Sequence, residues 1–204
     1  ALRTLAPEIP IVAEEEAAAG RLPDIGVRFF LVDPLDGTRE FLDRNGEFTV
    51  NIALIESGAP VLGVVHAPAK DRLFAGAEGM GAIEIAKGER RAIAARPMPR
   101  DGMTAVASRS HRDHKTNEIL SMYNVAHIVS AGSSLKFCMI AAGEADIYPR
   151  HGRTMEWDTA AGQAVLCAAG GRVTLLDGRT PLTYGKAGDA FANPHFVAWG
   201  KPPA

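Results

Sequence analysis

The sequence predicts a mixed fold, with an antiparallel α+β half in residues 1–97 and an α/β half in residues 98–204. Apolar runs between residues 48 and 75 are joined by turns too short for a crossover, so neighbouring strands must pair antiparallel. Beyond residues 96–99 (Arg-Pro-Met-Pro), strand and helix signals alternate, which is typical of a sheet covered by helices. This proline-rich segment therefore marks the predicted boundary between two domains.

The first half is predicted to contain a β-meander, from Phe48 to about Ile85, preceded by two shorter strands and one helix. The helix covers 38–44, and the alanine- and glycine-rich stretch 17–26 is predicted to be a mobile loop. The predicted strands are 9–13, 28–33, 48–55, 60–66 and 72–75.

The second half is predicted to alternate strands with helices and to end in a hairpin. Gly170-Gly171 supplies a stop for the last helix. Asp177-Gly178 is a turn signal between two short apolar arms, 172–176 and 181–184. The predicted strands are 103–107, 125–130 and 145–149, and the predicted helices are 111–122, 134–142 and 158–169.

The composition is that of an ordinary globular protein. The 204 residues carry a formal net charge of −2, with 47% hydrophobic and 23% charged residues. This balance argues against a binder of nucleic-acid polymers, which is usually basic, and no apolar run approaches the roughly 18 residues that span a bilayer. The sequence therefore predicts no integral membrane segment, leaves peripheral membrane association open, and does not decide whether the chain forms a homodimer.

The two cysteines and the beginning of the chain bear on location and completeness. Cys138 and Cys167 lie in apolar, helical contexts without zinc-site spacing, so we expect buried thiols in a reducing compartment, which is the cytoplasm. No signal peptide is recognisable. Residues 1–5 (ALRTL) resemble the last part of a helix and not the natural beginning of a chain. We therefore expect that residues are missing before Ala1.

Acidic residues occur at three places where apolar segments end or begin. Asp33 and Asp36 follow an apolar run within DPLDGT, Glu14 opens a glutamate triplet after another run, and Asp158 precedes an apolar helix. Taken singly, Asp158 is an N-cap candidate, Asp33 a turn residue and Glu14 a solvent-facing charge. Together they would concentrate negative charge in one volume, which a hard divalent cation such as Mg²⁺ neutralises.

The string DPLDGT resembles the DPxDGT signature of the inositol monophosphatase-like, lithium-sensitive phosphatases. The longer stretch 33–50 (DPLDGTREFLDRNGEFTV) is similar to the branch of that family that hydrolyses 3′(2′),5′-bisphosphate nucleotides, the CysQ proteins. The resemblance covers nearly the whole chain. It implies a layered αβαβα sandwich, two or three Mg²⁺ ions per site, inhibition by Li⁺ and a place in sulfate assimilation.

The resemblance also implies a ligand set and catalytic roles. The first glutamate of the pair, both DPxDGT aspartates, a backbone carbonyl and the WDxAAG aspartate hold the metal ions in the family. If the family's motif is matched to this chain with a shift of one residue, Glu15 takes the role of Glu14. Carried over to this chain, the ligands are Glu14, Asp33, the Leu35 carbonyl, Asp36 and Asp158.

The residues after Asp36 are predicted to seat the phosphate that is hydrolysed. Gly37 permits close approach to the backbone, and Thr38 opens the short predicted helix, whose free N–H groups suit an oxyanion. The expected reaction is direct attack of a metal-activated water, with Glu14, Asp33 and Thr38 as the catalytic set. In the family, the counterpart of Thr38 works with an aspartate of an earlier Thr-x-Ala-Asp segment, which this chain lacks.

The substrate is predicted to be held by the second half. The strings SRSH, GSSLKFC and YPR lie where open α/β sheets place their ligands, at strand ends and the loops that follow. Read alone, the serines could be helix caps and the cations solvated surface charges. Similarity to the bisphosphate nucleotidases implies nucleotide contacts at His111, Ser133, Lys136 and Arg150, and weaker candidates at Arg109 and Arg153.

These observations predict a Mg²⁺-dependent phosphatase that converts adenosine 3′,5′-bisphosphate to AMP and phosphate, and that also accepts the sulfated precursor. Two phosphatase alternatives on the same scaffold stay open, acting on inositol 1-phosphate or on fructose 1,6-bisphosphate. A non-catalytic nucleotide sensor is an alternative of another class. A purely structural interaction domain is disfavoured, because it would not need four carboxylates at strand and helix ends.

Overall fold

A computed structural model describes residues 1–108 and 114–202 as two β-sheets with helices packed between them. The strands of the first sheet follow one another in sequence order, and all neighbours pair antiparallel except the first two, which are parallel. They are β1 (Ile11–Ala13), β2 (Arg28–Asp36), β3 (Thr49–Glu56), β4 (Ala59–Ala67), β5 (Arg72–Ala77), β6 (Gly81–Ala86) and β7 (Glu89–Ile93).

The second sheet has the order β12-β14-β10-β8-β9, with parallel pairing among its last three strands and antiparallel pairing elsewhere. Its strands are β8 (Met103–Ser108), β9 (Val125–Ala131), β10 (Ile147–Arg150), β12 (Arg172–Leu175) and β14 (Phe196–Trp199). A small antiparallel pair, β11 (Thr154–Met155) and β13 (Ala192–Asn193), stands beside it.

The helices are short. They are α1 (Leu2–Leu5), α2 (Glu14–Ala18), α3 (Thr38–Leu42), α4 (His114–Ser121), α5 (Leu135–Ala141) and α6 (Ala160–Ala168), with 3-10 turns at Pro68–Lys70, Glu156–Asp158 and Ala187–Asp189. Among the described residues, no helix is long and apolar enough to cross a membrane.

Helix α6 lies directly on the first sheet because two strand glycines leave room for its backbone. A Cβ atom on Gly63 of β4 would be 2.3 Å from the carbonyl oxygen of Ala161, and one on Gly76 of β5 would be 2.8 Å from Cα of Val165. On its other side α6 contacts α5, where a Cβ on Gly162 would be 2.6 Å from the Phe137 ring. The helix that follows Asp158 is thus fixed between sheet and helix.

Both halves contribute to one apolar core. Phe74 and Val65 of the first sheet belong to the same cluster as Leu166 and Phe196 of the second half. The segment at the predicted boundary is also tied down, since Arg96 forms an ion pair with the fully buried Asp146 at 2.7 Å. The division into two domains near residue 97 stays a prediction.

The β-meander and the alternating second half are confirmed, with five corrections. Residues 14–18, predicted as a strand end and loop, form helix α2. The meander continues through β7, and β14 completes the second sheet. The predicted hairpin forms only in part, because its two arms meet in one antiparallel bridge, Thr174–Pro181, whereas β12 pairs along its length with β14. Cys138 is buried as predicted, whereas Cys167, on the last turn of α6, is exposed.

Candidate active site

Two parallel strand ends bring the first acidic residues together. β1 pairs with β2 in the register Ala13–Val32, so Glu14, directly after the end of β1, comes next to Asp33 within β2. Asp33 is 1% exposed, and one of its carboxylate oxygens accepts a hydrogen bond from the Leu35 amide at 2.9 Å. We predicted that this strand would end at Asp33. It continues to Asp36, with a shift in register between Asp33 and Asp36.

The carboxylate of Asp36 is held on one side by three donors. Its Oδ2 atom accepts hydrogen bonds from Thr49 Oγ1 at 3.1 Å, from Asn51 Nδ2 at 3.1 Å and from the backbone amide of Ser134 at 2.7 Å. Two donors come from the neighbouring strand β3, and the third comes from the loop before α5. Asp36 therefore joins the first sheet to the second half of the chain.

Asp158 sits in a 3-10 turn ahead of α6 and not at the helix cap. Its Oδ2 atom accepts a hydrogen bond from the Met155 amide at 2.8 Å, and its carbonyl accepts one from Ser134 Oγ at 2.7 Å. The N-cap residue of α6 is Thr159, which makes no side-chain cap bond. The N-cap alternative for Asp158 is therefore wrong, since its carboxylate turns back to the preceding strand.

A buried polar network supports this turn from behind. The Thr159 hydroxyl lies 3.2 Å from the Tyr184 hydroxyl and accepts a hydrogen bond from Asn193 Nδ2 at 2.9 Å. The fully buried Glu156 carboxylate accepts from the amides of Gly185 and Lys186 at 2.7 and 2.9 Å. These bonds fix the backbone that carries Asp158.

The electrostatics show that the acidic residues influence one another. Burial raises the pKa of Asp33 to about 9, with further raising contributions from Asp36, Glu14 and Asp158. Burial and the Asp36 charge raise the pKa of Asp158 to about 7. Burial also raises the pKa of Asp36, against the opposing charge of Lys136. The four acidic side chains thus repel one another, and the charges of Lys136 and Arg150 offset this repulsion only in part.

The donor set fits Mg²⁺. Within residues 1–108 and 114–202, no three His, Cys, Asp or Glu side chains close around a single point. Magnesium does not require such a cage, since it is usually held by one or two carboxylates, with water and substrate oxygens completing the octahedron. Carboxylates that raise one another's pKa repel each other when ionised. A divalent cation bound between them stabilises the ionised form.

Asp36 and Asp158 open into a cleft of about 250 Å³, and Glu14 and Asp33 lie outside its lining. Glu14 faces a separate hollow beside Trp157 and Phe191. The cleft is lined by Asp36, Gly37, Thr38, Arg39, Glu40, Ser108, Ser133, Lys136, Phe137, Tyr148, Arg150, Arg153, Thr154, Asp158 and Thr159. Six predicted substrate residues, the weaker candidate Arg153 among them, therefore share one cavity with two predicted metal ligands.

Gly37 and Ser133 meet where the two halves of the site join. Both have left-handed backbones, with φ values of 87° and 48°. The Ser133 hydroxyl oxygen lies 2.9 Å from the Asp36 carbonyl and 2.7 Å from the Glu47 carbonyl. A hydroxyl has a single proton, which these two acceptors occupy, so Ser133 Oγ is not free to donate to a phosphate.

Lys136 is a buried cation, not the solvated surface lysine considered as an alternative. It is 5% exposed, its ammonium donates to the Ser133 carbonyl at 2.6 Å, and it lies 5.2 Å from the centre of the Tyr148 ring. Burial lowers its pKa to about 8, although the Asp36 charge opposes this shift. Its position in the cleft suits an anionic group.

Arg150, the last residue of β10, also lines the cleft. Its Nη2 atom donates to the Arg153 carbonyl at 3.2 Å, whereas its buried Nε atom has no hydrogen-bond acceptor among the described residues. The exposed Arg153 also lines the cleft. His111 and Arg109, two other predicted contacts, lie outside the described residues.

Several residues of the site escaped the sequence analysis. Thr49 and Asn51 hold Asp36, and their only sequence signal is alternation along β3, which places them on the same face of the sheet. Tyr148 lies under Lys136 within the YPR string that had suggested Arg150 alone. Arg39 had no signal beyond its position directly after Thr38.

Comparisons with known proteins agree with this architecture. The model of the inositol monophosphatase family matches residues 1–199. The 3′(2′),5′-bisphosphate nucleotidase CysQ of Shigella flexneri is 48% identical over 195 residues, which are 96% of this chain and 77% of that protein. The crystal structure of CysQ from Bacteroides thetaiotaomicron superposes with a TM-score of 0.82 at 38% identity, covering 98% of this chain and 80% of that one. An inositol monophosphatase from Anabaena gives a TM-score of 0.78 at 29% identity, covering 98% and 77%. The chain belongs to the inositol monophosphatase family.

Proposed function

We propose that this chain is a magnesium-dependent phosphatase that hydrolyses the 3′-phosphate of adenosine 3′,5′-bisphosphate. The carrying observation is that one cleft has carboxylates at Asp36 and Asp158 and cations at Lys136 and Arg150. Acidic groups suit the metal that would bind the reacting phosphate, and the two cations suit a second anionic group. The name of the Shigella relative supports the nucleotide as substrate.

Glu14, Asp33, the Leu35 carbonyl, Asp36 and Asp158 would hold the magnesium, which when bound supplies an activated water and polarised phosphoryl oxygens. Water adds its oxygen to phosphorus, the bond from phosphorus to the 3′-oxygen breaks, and that oxygen leaves with a proton. The products are AMP and inorganic phosphate. Thr38 and the Gly37 backbone would orient the reacting phosphate from the opening of α3.

Substrate binding falls to the second half in this proposal. Lys136 and Arg150 bind the part of the nucleotide that does not react, and Ser133 shapes the cleft with its hydroxyl bonded to protein carbonyls. His111 remains a predicted nucleotide contact. The proposal includes hydrolysis of the sulfated precursor, a role in sulfate assimilation and a cytoplasmic location.

The test is side-by-side turnover of adenosine 3′,5′-bisphosphate, inositol 1-phosphate and fructose 1,6-bisphosphate with Mg²⁺. We expect the nucleotide to have the highest kcat/KM and EDTA to abolish phosphate release. Faster cleavage of inositol 1-phosphate would replace the nucleotidase by the inositol-phosphate alternative. Calorimetric binding of the nucleotide with no Mg²⁺-stimulated phosphate release would favour a sensor.

A further inference from the structure

The cations of the cleft differ in how far the protein itself engages them. Lys136 is buried, donates to the Ser133 carbonyl and interacts with the charge of Asp36. Arg150 is partly buried and donates to the Arg153 carbonyl. Both are oriented by the fold before any ligand arrives.

Arg39 is different. It is the second residue of α3, it is exposed, and it lines the cleft from the first half of the chain, whereas Lys136 and Arg150 belong to the second half. In the described ranges, no acceptor hydrogen-bonds to its guanidinium and no carboxylate lies within 4.0 Å of it. Its charge and its five donors are available to a ligand.

The position of Arg39 relative to the carboxylates decides which phosphate it serves. Asp36, Glu40 and Asp158 also line the cleft, and a guanidinium beside any of them would form an ion pair. Arg39 forms none, so its guanidinium is not engaged by the carboxylates that would hold the metal.

A bisphosphate needs such a group. Each phosphate monoester carries a charge of about −1.5 to −2 at pH 7. Magnesium and the reacting end would compensate one phosphate, and the second needs cations of its own. A guanidinium suits it because its planar fork matches phosphate oxygens with two parallel hydrogen bonds.

We propose that Arg39 is a specificity-determining residue that binds the phosphate that is not hydrolysed, and that it does so from the first half of the chain, whereas Arg150 lies in the second half. This inference rests on the proposed function, since it presupposes a substrate with two phosphates.

The experiment compares adenosine 3′,5′-bisphosphate with adenosine 3′-monophosphate, which has the same reacting ester and no second phosphate. For Arg39→Ala, kcat/KM should fall by about 10- to 100-fold with the bisphosphate, as expected for the loss of charged hydrogen bonds. It should change less than about twofold with the monophosphate. Arg39→Lys should lie between wild type and Arg39→Ala, because it keeps the charge without the fork.

Arg90→Ala is the matched control. Arg90 is an exposed arginine of β7 outside the cleft, so its removal changes net charge equally and should leave both substrates unaffected. Equal losses with both substrates in Arg39→Ala would place Arg39 at the reacting phosphate and overturn the inference, as would no loss with either. A wild-type chain that does not prefer the bisphosphate would overturn the proposed function and this inference with it.

Discussion

A Cβ atom placed on Gly37 would lie 2.1 Å from the hydroxyl oxygen of Ser133, nearer than atoms can approach without moving. The same hydroxyl bridges the carbonyls of Asp36 and Glu47. The loop before α5 therefore packs against the chain that follows β2. Gly37 supplies both the left-handed backbone and the space that this contact with Ser133 needs.

Gly37→Ala should therefore destabilise the fold and reduce turnover. A non-glycine residue in the left-handed region costs about 1–2 kcal/mol, and the contact with Ser133 adds to that. Urea denaturation of Gly37→Ala, Ser133→Ala and the double variant measures both effects. Because Ser133→Ala removes the clashing oxygen, the double variant should lose less free energy of unfolding than the sum of the single variants. Additive losses would show that the contact is not the cause.

Asp36→Asn should separate metal binding from folding. The amide keeps an acceptor for Thr49, Asn51 and Ser134 but removes a charge that burial disfavours. In EDTA we expect the variant to unfold at or above the wild-type temperature. Mg²⁺ should raise the melting temperature of wild type and not of the variant, and turnover should fall by orders of magnitude.

Asp101→Asn, an exposed aspartate in the turn before β8, is the control and should behave as wild type throughout. A normal Mg²⁺-induced rise in the melting temperature of Asp36→Asn would contradict the ligand assignment.

Nucleotide binding should weaken above pH 8 through Lys136. Burial lowers its pKa to about 8, so the substrate-free protein loses the ammonium above that pH. A bound phosphate favours the charged form, and binding at pH 9 should then take up about one proton. Calorimetry in two buffers of different ionisation enthalpy measures this uptake.

Lys136→Arg should bind without the uptake, because arginine stays protonated. The lowered pKa of Lys136 also makes the stability of the fold depend on pH. Between pH 8 and 10.5 the unfolded chain holds more protons at this site than the folded one, so this residue makes the fold more stable as pH rises. An affinity for the bisphosphate that does not change between pH 7 and 9.5 would remove Lys136 from the binding role.

Gly76→Ala should destabilise the contact between α6 and the first sheet. The added Cβ would lie 2.8 Å from Cα of Val165 and 2.9 Å from Cβ of Ala168, and overpacking of this kind costs about 1–3 kcal/mol. Gly188→Ala adds a methyl group where nothing lies within 4 Å and should be neutral. Thermal unfolding compares the two, and equal melting temperatures would show that α6 can shift without cost.

Sequence patterns with a local cause were predictable. The meander follows from alternation and short turns, and the clustering of Glu14 with Asp33 follows from two neighbouring apolar runs, each followed directly by an acidic residue. Asp158 could be found from its place ahead of an apolar helix. Its turn back to Met155 depends on the 3-10 turn, which no sequence pattern indicated.

What could not be predicted depends on pairing between distant segments. β14 follows a long irregular stretch, and its place between β12 and β10 is decided by packing of the core and not by neighbouring residues. Asn51 and Thr49 lie in an ordinary alternating strand, and only the fold brings Asp36 against them. The engagement of the Ser133 hydroxyl likewise requires Glu47, 86 residues away along the chain.

Ser134 bonds Asp36 through its amide and the Asp158 carbonyl through its hydroxyl. One residue, Ser134, thus sets the distance between the Asp36 carboxylate and the Asp158 backbone. A substitution that moves the backbone at Ser134 would therefore displace both acidic residues together.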